Sequence, residues 1–305
     1  MTLSDHIPHL DLTAFREGDE AARLAFGKDL VAALRQCGFI TLEGHRVDPG
    51  VIERSYASAA DFFARPVEEK MQYAGGLRGY TPFGREHAKD SSVPDLKEFW
   101  QVGHSREETE GRLVWPEKPT AFQSVFEELF SALEETGRDL LSAIAMGLSL
   151  APDYFDPRID NGTSLLRLIH YPEIPATADP RCVRAAAHED INLITLLVAA
   201  QGGGLEILTR DGDWLPVLNA PDHLIVDTGD MMARITNNYL PATTHRVVNP
   251  EGPNVSRYSM PFFVQPREDV MLECLPGCVA AGEKMPEPVS TGDFLNQRLV
   301  EIGLK

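Results

Sequence analysis

The stretch AAAHEDINLITLL, residues 185–197, decides how the chain is read. Its second half, INLITLL, is apolar and rich in β-branched residues, so it is expected to form a buried strand. Its first half carries His188, Glu189 and Asp190 into that core segment. Polar groups buried without partners cost roughly 2–7 kcal/mol each, so something must satisfy them. Side chains two apart on a strand share a face, which puts His188 beside Asp190 and turns Glu189 away. A metal ion would satisfy the pair, with a third ligand supplied from another strand.

The best candidate for that third ligand is His245 in LPATTHRVVNP, at the entry to a further apolar strand. Two histidines and one carboxylate on one face of an ion leave the opposite face open, as in the facial triad of non-haem Fe(II) oxygenases. Zinc accepts the same donors, although no H-E-x-x-H accompanies them here. H-x-D by itself is a common pair, and an isolated histidine is often a hydrogen-bonded core or surface residue. More pieces are needed, and RYSMPFFVQP supplies two. Arg257 and Ser259 are again two apart, offering a planar fork and a hydroxyl on one face. An arginine in so apolar a strand needs an anion, either an internal Asp or Glu or the carboxylate of a bound acid. Tyr171, just before a proline in RLIHYPEIP, offers a phenol to the same carboxylate.

Composition sets the bounds. The chain has 305 residues, enough for one large domain or two modest ones, and its 43% hydrophobic and 24% charged residues are ordinary for a globular protein. The net charge of −18 repels phosphate backbones and anionic lipid headgroups, so no nucleic-acid partner and no membrane partner is expected. The first residues, MTLSDHIPHLDL, lack the pattern of a signal peptide, and no apolar run is long enough to span a membrane. Cys37, Cys182, Cys274 and Cys278 are scattered, which fits free thiols and a cytoplasmic setting. The oligomeric state is not readable from the sequence.

The N-terminal third reads as mainly helical. EAARLAFGKDLVAALRQCG ends at a glycine stop, and DPGVIERSYASAADFFARP opens with an Asp48 N-cap and Pro49 in the first turn. Residues 75–116 read as loops with one or two strands, and such long loops are often functional. Within them Arg85, His87 and Lys97 are candidates to meet an acidic substrate, and Phe83, Phe99 and Trp100 to pack its body. Residues 120–150 read as a long brace helix, interrupted near Gly137. From residue 163 short strands follow one another, HLIVDTGDMMARITN among them, before a last helix near TGDFLNQRLVEIG. The expected fold is α+β, mainly β: a jelly roll carrying a helical N-terminal region.

Taken together, H-x-D, a distant His and then R-x-S resemble the isopenicillin N synthase-like group of Fe(II)/2-oxoglutarate-dependent oxygenases. The likeness covers most of the chain: HEDINLITLL, GGLEIL, DGDWLPV, IVDTGDMMARITNNYLPATTHRVV and RYSMPFFV for the core, CGFITLEGHRV and DFFARPVEEK for the N-terminal region. The resemblance implies a cupin-like double-stranded β-helix, with an N-terminal non-haem dioxygenase region at 1–118 and a core at 119–305 in one compact unit. It implies His188, Asp190 and His245 as Fe(II) ligands, and Arg257, Ser259 and Tyr171 around 2-oxoglutarate. The implied reaction uses O2 to oxidise, by hydroxylation, a C–H bond of a small-molecule substrate, with release of succinate and CO2. Many members have Thr between the His and the Asp, where this chain has Glu189. The penicillin-forming relatives also read HED, and they use R-x-S to bind the substrate's own carboxylate. The alternative is therefore an Fe(II) oxidase that does not use 2-oxoglutarate.

Overall fold

The computed structural model describes residues 7–301 except 77, 88–92, 106–112, 219, 221 and 280–283. The N-terminal region runs β1 (His9–Asp11), α1 (Thr13–Glu17), α2 (Glu20–Cys37), β2 (Phe39–Glu43), α3 (Pro49–Phe63), α4 (Val67–Met71), β3 (Gly79–Thr81) and β4 (Glu98–Val102). The long helix α5 (Phe122–Gly147) and the short α6 (Asp156–Ile159) lead into the core. There follow β5 (Leu165–Tyr171), β6 (Ala185–His188), β7 (Ile194–Gln201), β8 (Leu205–Leu208), β9 (Trp214–Pro216) and β10 (Leu224–Thr228). Last come α7 (Asp230–Ile235), β11 (His245–Val247), β12 (Arg257–Val264), a two-residue pair β13 (Met271–Leu272) and β14 (Val289–Ser290), and α8 (Thr291–Glu301).

Two sheets face each other. The larger has the order β1-β2-β10-β7-β12-β5-β4-β3, the smaller β6-β11-β8-β9. Period-two alternation explains why the central strands are apolar on both faces. On β12, Met260, Phe262 and Val264 enter the core under the helices, while Arg257, Ser259, Pro261 and Phe263 line the space between the sheets. On β5, Leu166 and Leu168 face the helices, and Leu165, Arg167, Ile169 and Tyr171 face inward. A smaller apolar cluster, including Phe39, Ile169, Leu197, Ile207 and Val247, closes the inter-sheet space.

The N-terminal region is less purely helical than its periodicity suggests. Its strands extend the larger sheet at both edges, with β2 on β10 and β4 on β5. Two expected elements are also corrected. INLITLL is not one strand: β7 begins only at Ile194, and Asp190 lies outside both β6 and β7. HLIVDTGDMMARITN is a strand followed by the helix α7. One cause serves both. The carbonyls of Asp190 and Asn192 accept from the amides of Asp230 and Met231, so the 190–193 link spends its backbone groups on the start of α7 instead of on a ladder.

The brace helix is continuous through Gly137. A Cβ there would stand 2.9 Å from Val264 Cγ2, so this glycine lets α5 lie close on the sheet and does not break it. Gly27 does the same between helices, where a Cβ would meet the Ala143 carbonyl oxygen at 2.5 Å. Backbone cannot step aside as a side chain can. Gly27→Val is therefore expected to push α2 off α5 and cost about 1–3 kcal/mol, read as a lower midpoint in urea unfolding. A midpoint equal to that of the unchanged protein would contradict this packing.

Candidate active site

The inter-sheet space is a cavity of about 810 Å³, within the range of small-molecule sites. His188 reaches it from the end of β6, Asp190 from the link that follows, and His245 from the start of β11, directly opposite His188 in the antiparallel register. β6 ends at His188, so Asp190 is presented by the link after the strand and not by the strand itself. Asp190 Oδ1 lies 3.8 Å from His188 Nε2 and 3.6 Å from His245 Nε2, and the imidazole centroids are 4.4 Å apart. Glu189 also borders the cavity, with its carboxylate accepting from Thr244 at 3.4 Å.

The hydrogen bonds behind these donors set their orientation. His188 Nδ1 donates to the Ala186 carbonyl at 2.7 Å and His245 Nδ1 to the Thr243 carbonyl at 3.1 Å. A carbonyl only accepts, so both Nδ1 atoms carry a proton and both Nε2 atoms face Asp190. Burial, and then the neighbouring His245, push the His188 imidazole down to about 4, so the ring is neutral at pH 7. Thr195 donates to Asp190 Oδ2 and itself receives a bond from Asn192 at 2.8 Å. That leaves Oδ1 turned toward the histidines. Two imidazoles with Nε2 turned inward and a carboxylate oriented from behind are what a divalent ion requires.

At the other end of the cavity, Arg257 is 2% exposed. Its Nε donates to the Gly203 carbonyl at 3.1 Å, while Nη1 has no hydrogen-bond partner among the described residues. No Asp or Glu among the described residues pairs with it, so an internal carboxylate is not its counter-ion there. Its guanidinium lies 5.1 Å from the Tyr171 ring centroid, and Ser259 and Tyr171 line the cavity with it. Arg184 adds a second buried cation close by. Burial, then the Arg257 charge, lower its affinity for the proton. An orphaned guanidinium nitrogen beside a serine and a tyrosine fits a carboxylate.

Several lining groups were not anticipated. Asp227, on β10, was visible as a carboxylate inside the apolar run HLIVD. Burial, then Asp190, push its carboxyl well above the ordinary range. Glu86 and Arg167 join Lys97 in a buried network: Lys97 Nζ stands 2.6 Å from Glu86 and 2.9 Å from Asp95, and Arg167 stands 3.1 Å from Glu86. Asp95 also accepts from the Ala186 amide at 3.0 Å, tying this loop to the strand that carries His188. Lys97 is thus already paired, and it lines the cavity together with Arg85 and His87. Phe83 is exposed at 41%, and Phe99 and Trp100 are core residues.

Burial raises the Glu86 carboxyl, but Arg167 and Lys97 outweigh it and hold the group down to about 2. Its contribution to stability is complete above about 4.5, and is lost as pH falls from there toward 2. Glu86→Ala leaves the buried Lys97 and the part-buried Arg167 each short of a partner and is expected to cost about 3–5 kcal/mol. A thermal melt at pH 7 should show the loss, and melts near pH 3 should show a smaller difference between the two proteins. An equal difference at both values would contradict the assignment.

Comparisons with known proteins point the same way. Residues 7–118 match the family described as non-haem dioxygenase in morphine synthesis N-terminal, and residues 162–266 match the 2OG-Fe(II) oxygenase superfamily. The chain is 32% identical to the 2-oxoglutarate-Fe(II) type oxidoreductase hxnY of Emericella nidulans, covering 93% of this chain and 86% of that one. A solved Caulobacter crescentus structure of the 2OG-Fe(II) oxygenase family shares 41% identity and a TM-score of 0.84, covering 97% and 99% of the two chains. A Neurospora crassa protein, solved at full length in complex with alpha-KG and thymine, shares 30% identity and a TM-score of 0.88, covering 98% of each. Among the described residues, no helix is long and apolar enough to cross a membrane. With an oriented two-histidine, one-carboxylate set at one end of the cavity and an orphaned arginine at the other, the chain belongs to the 2OG-Fe(II) oxygenase superfamily and is a 2-oxoglutarate- and Fe(II)-dependent dioxygenase.

Proposed function

We propose that His188, Asp190 and His245 hold the Fe(II), and that Arg257, Ser259 and Tyr171 receive the carboxylate of 2-oxoglutarate remote from the metal. The observation that carries the second half is the partnerless Nη1 of a buried Arg257 facing the cavity. When bound, Fe(II) and 2-oxoglutarate supply the oxidation, in which O2 is consumed, succinate and CO2 are released and a substrate C–H bond is hydroxylated. The chain's residues do the rest. The Ala186 and Thr243 carbonyls accept from both Nδ1 atoms and so keep both Nε2 atoms aimed at Asp190. Thr195 orients the Asp190 carboxylate. Arg257 grips an anion in a dry pocket, where a charge-assisted bond is strong. The oxidase alternative would place Arg257 on the substrate's own carboxylate, and it is not the one that relatives named for 2-oxoglutarate favour.

The same reading takes 1–118 and 119–305 as two regions of one unit, since strands β1 to β4 complete the larger sheet. The substrate is a small molecule that occupies the cavity, whose lining includes Arg167, Phe263, Leu295 and Leu299. A planar ring of thymine's size is the first to test, because the cavity wall mixes apolar rings with fixed polar groups and the Neurospora relative binds thymine. The test is succinate release from 2-oxoglutarate under air, with thymine and other small cyclic amides added singly. Faster release with one of them, together with a product gaining one oxygen atom, supports the reading. Oxygen uptake with 2-oxoglutarate untouched would overturn it in favour of the oxidase.

A further inference from the structure

A second convergence of metal-type donors lies on the outer edge of the larger sheet and takes no part in the mechanism above. His9 on β1, Glu43 at the end of β2 and His223 just before β10 meet where these three neighbouring strands begin or end. His9 Nε2 is 3.2 Å from Glu43 Oε1, and His223 Nε2 is 3.7 Å from Glu43 Oε2. One donor atom from each residue falls within 4.8 Å of the others. The imidazoles stack with centroids 4.8 Å apart. This spacing is close to that of the His188, Asp190 and His245 set, at 3.6 and 3.8 Å with centroids at 4.4 Å. A tetrahedral zinc ion with bonds of about 2.0–2.1 Å needs donor atoms about 3.3 Å apart, so modest side-chain adjustment closes the cluster around one ion.

The local structure holds the donors for that purpose. The parallel pairing of β1 with β2 sets His9 opposite Thr41, whose hydroxyl lies 3.1 Å from His9 Nδ1 and so turns Nε2 toward Glu43. The pairing of Leu224 with Leu42 brings His223 alongside. His45 Nε2 donates to the Asp222 carbonyl at 2.8 Å, tying down the segment that carries His223. Asp222 Oδ1, 3.9 Å from His223 Nε2, is available as a fourth donor, or water takes that place. Two imidazoles with one carboxylate suit zinc and its neighbours in the transition series, and offer too few oxygens for calcium or magnesium.

We propose that His9, Glu43 and His223 form a second divalent-metal site, best matched by Zn2+, which staples the edge strand β1 to β2 and to the start of β10. The site is separate from the Fe(II) centre, so the test removes that centre first. Untagged, metal-free full-length protein is dialysed against Zn2+ and its metal content counted. The H188A/H245A variant is expected to retain one equivalent, with its melting temperature raised by about 4 °C at a hundredfold excess over Kd. Adding Glu43→Gln to that background should remove both the zinc and the shift. This change conserves shape at a half-exposed position, and circular dichroism in EDTA confirms the fold. His223→Ala alone should lose one equivalent of zinc and leave 2-oxoglutarate turnover unchanged. No zinc on the H188A/H245A variant, or uptake unaltered by Glu43→Gln, would overturn the site and leave a hydrogen-bonded His–Glu–His cluster.

Discussion

Asp190→Ala is expected to leave the fold intact and to abolish succinate formation. Asp190 is the one carboxylate between the two imidazoles, and its Oδ1 faces both Nε2 atoms. Without it the site has two neutral donors for a doubly charged ion. Changes one step removed from a metal cost roughly 10–100-fold in affinity, and removal of a ligand should cost more. Iron content after anaerobic loading and succinate yield should fall together. The apo protein should be no less stable, because burying this carboxylate beside Asp227 is unfavourable in the absence of the ion. Thr195→Val, which frees Oδ2 and not the ligating oxygen, should give a partial loss in both quantities. Iron retained at full stoichiometry in Asp190→Ala would remove this residue from the metal set.

Arg257→Ala should act on the other end of the cavity. Truncating one member of a buried, hydrogen-bonded charge pair costs about 2–5 kcal/mol, which corresponds to at least roughly thirtyfold weaker use of 2-oxoglutarate. Iron binding should not change, since Arg257 belongs to β12 and the metal donors to β6, β11 and the link after β6. A titration of turnover against 2-oxoglutarate concentration separates the two effects. Arg257→Lys should recover only part of the loss, because an ammonium keeps the charge but not the planar fork. Unchanged half-saturation in Arg257→Ala would mean that the co-substrate is bound elsewhere.

What was legible in the sequence was local, and what was missed was long-range. Strand alternation in RYSMPFFV placed Arg257 and Ser259 on one inward face, and they are there. Asp48 caps α3 and Gly38 ends α2 in the left-handed conformation, both from single-residue signals. His188 and Asp190 were found for a reason only half right. Their type and spacing pointed to a shared ligand, but the strand ends at His188, because the 190–193 backbone is committed to α7. Nothing within a strand-length window reports that commitment. DMMARI looked like a continuation of HLIVD for the same reason. The Glu86, Lys97, Asp95 and Arg167 network was invisible because its members come from the loop before β4 and from β5, and the pattern of one segment carries no trace of a counter-ion on another.

The central claim is that one cavity holds Fe(II) at one end and the carboxylate of 2-oxoglutarate at the other. The most direct test is anaerobic: Fe(II) and then 2-oxoglutarate are added to metal-free protein while the visible spectrum is recorded. A weak charge-transfer band that needs both components, disappears in Asp190→Ala and weakens in Arg257→Ala is the expected result. Iron bound through His188, Asp190 and His245 with no band on adding 2-oxoglutarate would contradict the account.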